Sequence, residues 1–176
     1  HVAGTLAEHG LSVLGIDHHL VGGECPYWGC IPSKMMIRAA TALQEARRVP
    51  QLGGSVGVVV PDWSIVARRI REEATDTWDD TVAVERLQKA GVAFVRGHGR
   101  LVGTGQVEVD GTTYTARLGV VLNTGTEPGV PPIDGLADTP YWTNRDIVQV
   151  RDLPSSLIVG WDAESVPSDT RCSVAT

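Results

Sequence analysis

Gly22-Gly23-Glu24-Cys25-Pro26-Tyr27-Trp28-Gly29-Cys30-Ile31-Pro32-Ser33-Lys34 decides the reading of this chain. Two cysteines stand five positions apart among glycines and prolines, after a short apolar run and ahead of a helical one. A disulfide requires Cα atoms roughly 4.4–6.8 Å apart. Five steps along a regular helix give about 7.5 Å of rise and an angular offset of about 140°, which keeps the sulfurs apart. Pro26, Gly29 and Pro32 are residue types that distort the backbone and let the sulfurs meet. A strained disulfide has a raised reduction potential and serves as a redox device. The same residues admit two other readings, a pair of unrelated thiols or half of a zinc site. Zinc sites use closer pairs and need two further ligands at matching spacing. Only Cys172 remains to supply one, and His18 and His19 are adjacent in sequence, which suits one metal poorly.

The pattern Gly22-Gly23-x-Cys25-x-x-x-x-Cys30-x-Pro32-Ser33-Lys34 resembles the active-site signature of the class I pyridine nucleotide–disulfide oxidoreductases, the family of dihydrolipoamide dehydrogenase, glutathione reductase and mercuric reductase. The resemblance implies an α/β fold: a partial FAD-binding, Rossmann-like domain with a parallel sheet, helices and a small antiparallel β-meander. It implies that NAD(P)H passes electrons through FAD to a Cys25–Cys30 disulfide and on to a small-molecule disulfide or comparable acceptor. Cys25 is then the interchange thiol that attacks substrate, and Cys30 the thiol that faces the flavin. Gly22, Gly23, Glu24, Cys25, Cys30 and Lys34 are the implied cofactor contacts of this loop. A helix N-terminus and nearby positive charge favour a thiolate at neutral pH, and Lys34 and the helix beginning near it supply both.

Composition is compatible with this reading. The chain has 176 residues, 42% apolar and 20% charged, the balance of a globular protein. Its net charge of -6 argues against non-specific nucleic-acid binding, which needs a basic footprint. No apolar run approaches the roughly 20 residues of a membrane span, and no signal peptide is recognised. Three cysteines, two of them in one motif, fit a reducing cytoplasm with a catalytic disulfide. No metal site is assigned.

Working outward from the motif toward the N-terminus, Leu11 to Ile16 reads as a buried parallel strand ending at Asp17. Before it, Val2 to His9 reads as a helix stopped by Gly10. Helix, tight glycine, strand and terminal acid form the second half of a dinucleotide-binding βαβ unit, whose acid accepts hydrogen bonds from a ribose. The glycine fingerprint of such a unit lies about 20 residues earlier, so it falls before His1. The chain is therefore read as a fragment, truncated at both ends.

Toward the C-terminus, Lys34 to Arg48 has helical period, and Val56 to Val60 reads as a short extended piece. Asp62 can cap a helix running from Trp63 to about Ala90. Asp76, Asp79 and Asp80 on that helix read as a solvated cluster rather than a metal site. Gly91 ends it, and Val92 to Val95 reads as a buried strand leading into Arg96-Gly97-His98-Gly99-Arg100. The glycines there permit close backbone approach. By resemblance Gly97, His98 and Gly99 meet the adenine end of FAD through main-chain groups.

Leu101 to Leu122 alternates with period two, and Asp110-Gly111 is a hairpin turn signal. Gly119 to Leu122 reads as a buried strand feeding Asn123-Thr124-Gly125-Thr126-Glu127-Pro128. This resembles the family's second FAD element, with Thr124 and Gly125 at the diphosphate end; asparagine replaces the usual alanine at 123. Residues 1–128 are thus assigned to the FAD-binding domain, 129–150 to a proline-rich linker and crossing segment, and 151–160 to the first strand of an NAD(P)H domain. Residues 161–176 lose the pattern and are expected to be a disordered tail, either out of the ancestral reading frame or following a truncation.

The resemblance implies a homodimer whose missing C-terminal domain brings a His–Glu pair as acid–base catalyst. Weak or no turnover is expected of this chain alone. Two other classes remain, a Cys/His metal-binding module and a non-catalytic interaction remnant. Glu24 and Pro26-Tyr27-Trp28 depart from the commoner spacer residues, so lipoamide, glutathione and mercury are equally unassigned.

Overall fold

A computed structural model describes residues 1–159. The expected tail at 161–176, Gly160 and Cys172 lie outside the described residues. The chain is α/β, with a parallel pair of strands, a separate three-stranded antiparallel sheet, and helices around the pair.

Helix α1 (Val2–Glu8) leads through Gly10 into strand β1 (Val13–Asp17). Strand β2 (Val92–Arg96) lies parallel to β1, Val13 opposite Val92 and Asp17 opposite Arg96. The ladder extends one step, because Gly97 N–H donates to the Asp17 carbonyl at 3.0 Å. A parallel pair needs a crossover between its strands. Here that crossover carries the cysteine motif and the helices between residues 24 and 89.

Helix α2 (Glu24–Tyr27) is a single turn, and α3 (Cys30–Leu52) is the long helix of the molecule. Helical period alone places the start of α3 at Lys34, but the helix begins at Cys30. Its first four N–H groups have no intrahelical acceptor, so Pro32 loses nothing by lacking one. Pro50 interrupts the bonding near the other end, and the helix stops at Leu52. Residues 56–60, read as a short extended piece, pair with no strand among the described residues and are largely exposed.

The expected continuous helix from Trp63 to Ala90 is broken. Asp62 caps α4 (Trp63–Arg69) through Ser64 N–H at 2.9 Å, as its sequence position implies. A widened turn follows at Ile70–Ala74, closed by Thr75 N–H to the Ile70 carbonyl at 3.1 Å. Asp76, Thr77 and Trp78 then take positive φ before α5 (Thr81–Lys89) resumes. Non-glycine residues avoid that region, so the surroundings must hold them there. Fully buried Ile70 and Thr75, whose hydroxyl bonds the Ile70 and Arg71 carbonyls, supply the anchor.

Strands β3 (Arg100–Gly103), β4 (Gln106–Val109) and β5 (Thr112–Thr115) form the expected meander. Asp110 and Gly111 both have positive φ, the geometry of a tight hairpin turn. Gly119 to Leu122, expected as a buried strand, is neither: Val121 and Leu122 are exposed and unpaired. A strand exists only by hydrogen-bonding to a neighbour, and among the described residues this run has none. The expected NAD(P)H-domain strand likewise has no partner over its described part, residues 151–159. The proline-rich segment is not free: α6 (Asn144–Ile147) starts in a capping box formed by Thr143 and Asp146, and Val148 behind it is buried.

Candidate functional site

The backbone turns sharply between α2 and α3 at Gly29, bringing the Cα atoms of Cys25 and Cys30 to 4.6 Å, and their sulfurs join in a disulfide. Both cysteines are exposed. Cys30 is the first residue of a 23-residue helix, at the end where unpaired N–H groups favour a sulfur anion. Neither cysteine is left to serve as half of a zinc site. Among the described residues no group of three His, Cys, Asp or Glu side chains is arranged to hold a metal.

Two carbonyls inside the loop are held by distant parts of the chain. Trp78 Nε1–H donates to the Tyr27 carbonyl at 3.2 Å, and Asn144 Nδ2 donates to the Trp28 carbonyl at 3.0 Å. The Trp28 and Trp78 rings stack with centroids 5.8 Å apart. Buried Tyr27 donates its hydroxyl to the Val21 carbonyl. Burial raises the Tyr27 pKa, and the carboxylates of Asp80, Asp79 and Asp76 raise it further.

Asp80 corrects the reading of a solvated acid cluster. It is only 9% exposed, and its Oδ2 accepts from Val21 N–H and from Arg96 Nη2, each at 2.6 Å. Arg96 also donates to the His19 carbonyl. One buried carboxylate therefore fixes the segment that enters the Gly22-Gly23 turn and ties it to the end of β2. Asp79 is exposed and caps α5 through Thr81, whose side-chain and backbone hydrogen bonds lower its pKa.

Glu24, expected from the resemblance to be a cofactor contact, has its Oε1 2.6 Å from Arg145 Nη2, across a sequence gap of 121 residues. Arg145 Nη1 pairs with Glu127 Oε2 at 2.6 Å, and Nη2 also donates to the Thr126 carbonyl at 3.0 Å. The Arg145 side chain is 18% exposed. Burial works against its charge, but the hydrogen bonds it donates to Glu24 and Glu127 and its attraction to both outweigh that and raise its pKa above the usual range. Its buried Nε has no acceptor among the described residues. These contacts carry Thr124 and Gly125, both exposed, to the neighbourhood of the cysteine loop.

At the ends of the parallel strands, Asp17 Oδ1 accepts from His19 N–H at 2.8 Å. His18 lies against both His19 and His98, with ring centroids 4.0 and 4.7 Å apart. His19 Nε2 in turn lies 3.8 Å from Glu127 Oε1. Asp17, Gly97 and His98 thus form one cluster, and the cysteine loop with Thr124 and Gly125 another, joined through His19 and Glu127. Lys34 stands apart, exposed on α3 and without an ion pair among the described residues. The close approach at Gly97 and Gly99 is to protein. A Cβ on Gly97 would clash with Val109 Cγ1, and one on Gly99 would lie 3.3 Å from Ile16 Cγ2.

The residues fit a dinucleotide in part. Asp17 offers a carboxylate at the carboxyl end of a parallel strand, the usual place for a ribose acceptor. Gly22 and Gly23 take positive φ, and the space beside Gly23 is open where a Cβ would stand. Two shallow hollows of ≈ 410 and ≈ 500 Å³ lie elsewhere, one beside Arg47 and Pro61 and one beside Gly105 and Val120. The disulfide and Asp17 line neither of them. The roles of Asp80, Trp78 and Arg145 are not readable from sequence, since an acid, a tryptophan and an arginine at those positions carry no local periodic signal.

Comparison with known proteins agrees with the geometry. The mercuric reductases of Acidithiobacillus ferrooxidans and Shewanella putrefaciens are 31% and 32% identical to the chain over 86% and 87% of its length. The dihydrolipoyl dehydrogenase of Acholeplasma laidlawii is 28% identical over 87% of it. The chain spans 29%, 28% and 46% of those three proteins respectively. The profile of the family described as pyridine nucleotide-disulphide oxidoreductase matches residues 1–160. With that match joined to a Cys25–Cys30 bond on a βαβ crossover, the chain belongs to the pyridine nucleotide-disulphide oxidoreductase family.

Proposed function

We propose that the chain is the FAD-side portion of an NAD(P)H-dependent flavoprotein disulfide reductase whose working group is the Cys25–Cys30 pair. The single observation supporting this most strongly is an exposed disulfide at the first residue of a long helix, with both neighbouring carbonyls tethered from afar. When bound, FAD supplies the electron pair, drawn from NAD(P)H, that opens the disulfide. Asp17 accepts ribose hydroxyls, the Gly22-Gly23 and Thr124-Gly125 backbones face the diphosphate, and Gly97, His98 and Gly99 border the adenine end. Lys34 supplies positive charge near the flavin.

Two electrons and one proton convert the disulfide to a thiol–thiolate pair, and the form that attacks carries the charge on Cys25 and the proton on Cys30. The Cys25 thiolate attacks one sulfur of a small-molecule disulfide, breaking its S–S bond and releasing the first thiolate, which takes a proton from solvent. Cys30, losing its proton to solvent, displaces the second thiolate and restores the Cys25–Cys30 bond. An acid–base pair from a partner subunit completes the cycle in the longer homodimeric protein, working in a reducing compartment such as the cytoplasm. This chain alone has weak or no turnover.

The test is a thiol count on the purified chain before and after mild dithiothreitol, with a far-ultraviolet spectrum to confirm that it stays folded. Two additional thiols, lost again on reoxidation and mapped to Cys25 and Cys30, are expected. Cys25 and Cys30 already free as thiols in the oxidised chain, or a bond that opens only on unfolding, would overturn the proposal. Tight FAD with NADH-dependent bleaching would contradict the claim of weak turnover.

A further inference from the structure

We propose that Arg145 is a positioning residue that neutralises Glu24 and thereby keeps the adjacent Cys25 reactive as a thiolate. The inference rests on the reading in which Cys25 is the attacking thiol. Glu24 immediately precedes Cys25 in α2, and an unpaired carboxylate there would oppose a second negative charge on the neighbouring sulfur. Arg145 lies on α6, so the crossing segment supplies the compensating charge to the redox loop.

Partial burial makes the pairing stronger than an exposed one, since solvent screens it less. Glu127 and the Thr126 carbonyl accept from two further N–H groups and fix the guanidinium on Glu24. The Arg145 cation also lies 5.8 Å from the Trp28 ring. Other charged or titratable groups border the loop. Lys34 stands on α3, Asp76, Asp79 and Asp80 in the turn that carries Trp78, and His19 beside Glu127. None of these makes an ion pair with Glu24 among the described residues.

The measurement is the pH dependence of Cys25 alkylation by iodoacetamide in the full chain carrying Cys30→Ser. The thiolate displaces iodide and forms a C–S bond, its proton having passed to buffer, and Cys172 is resolved by peptide mapping. Arg145→Met should raise the midpoint by about half to one unit, slowing alkylation below it roughly three- to tenfold. Glu24→Gln should lower the midpoint, because Arg145 then acts on the sulfur with one fewer carboxylate opposing it. The double variant should return toward the parent, and Arg145→Lys should retain most of the parent profile. A purely structural Arg145 would not produce opposite signs or rescue by a second deletion.

Midpoints that move by less than about 0.2 unit, or in the same direction for Glu24→Gln and Arg145→Met, overturn the inference. If Arg145→Met fails to fold, the profiles of Glu24→Gln and Arg145→Lys decide it by the same criteria. The thiol count on the chain retaining Cys30 tests the functional reading separately, so either can fail while the other stands.

Discussion

Replacing Asp80 with alanine should destabilise the chain by about 3 kcal/mol, and the figure follows from its partners. Oδ2 of this residue accepts two hydrogen bonds of 2.6 Å, from Val21 N–H and Arg96 Nη2. A hydrogen bond to a charged acceptor contributes roughly 1.5–3 kcal/mol, and that range applies to the partly buried amide of Val21. The Arg96 side chain is 41% exposed, so its ion pair is screened and contributes at most about 1 kcal/mol. For a chain of this length the sum corresponds to a fall in melting temperature of roughly 6–12 °C. Asp80→Asn keeps an acceptor for Val21 and should cost about half as much, whereas Arg96→Met should cost only about 1 kcal/mol. Urea denaturation followed by circular dichroism measures all three. Because Val21 leads into Gly22-Gly23, reduction of the disulfide by dithiothreitol should also be faster in Asp80→Ala than in the parent. A cost below about 1 kcal/mol for Asp80→Ala, or an equal cost for Arg96→Met, would refute the claim that this carboxylate anchors the loop entrance.

Two further outcomes follow from single residues. Gly97→Ala drives a Cβ into Val109 Cγ1 and should cost about 1–3 kcal/mol through overpacking, read as a lowered urea midpoint. Gly23→Ala meets open space and should cost only the backbone term, about 1–2 kcal/mol, so a larger loss there than at Gly97 would contradict the packing account. Asp146 has its pKa lowered by backbone and then side-chain hydrogen bonds from Thr143, so its cap stabilises α6 above the ordinary carboxylate range and is lost as pH falls through the lowered value. The stability gap between the parent and Asp146→Asn, about 1 kcal/mol at neutral pH, should therefore close below about pH 4.

Much of the fold is legible in the sequence because it is encoded locally. Apolar runs of strand length at Val13–Asp17 and Val92–Arg96, each bounded by glycine, have one efficient burial, which is side by side with helices in the crossover. The Asp110-Gly111 turn and the alternation around it likewise specify the meander from adjacent residues. Sequence and structure part where a helical or strand pattern is overruled from a distance. The stripe from Trp63 to Trp78 continues smoothly in sequence, yet Ile70, Thr75 and Trp78 are held by burial and by the Tyr27 carbonyl, and the helix yields. Gly119 to Leu122 has the composition of a buried strand, but composition provides no neighbour to bond with.

By itself the sequence determined the family, the α/β class and the two sulfurs, since each depends on residues close together along the chain. Only the tertiary structure decided what surrounds those sulfurs. Asp80, Trp78, Asn144 and Arg145 reach the loop across 51 to 121 positions. Pairing of charges and hydrogen bonds over such separations depends on where folding delivers the side chains, and no spacing rule along the chain encodes it.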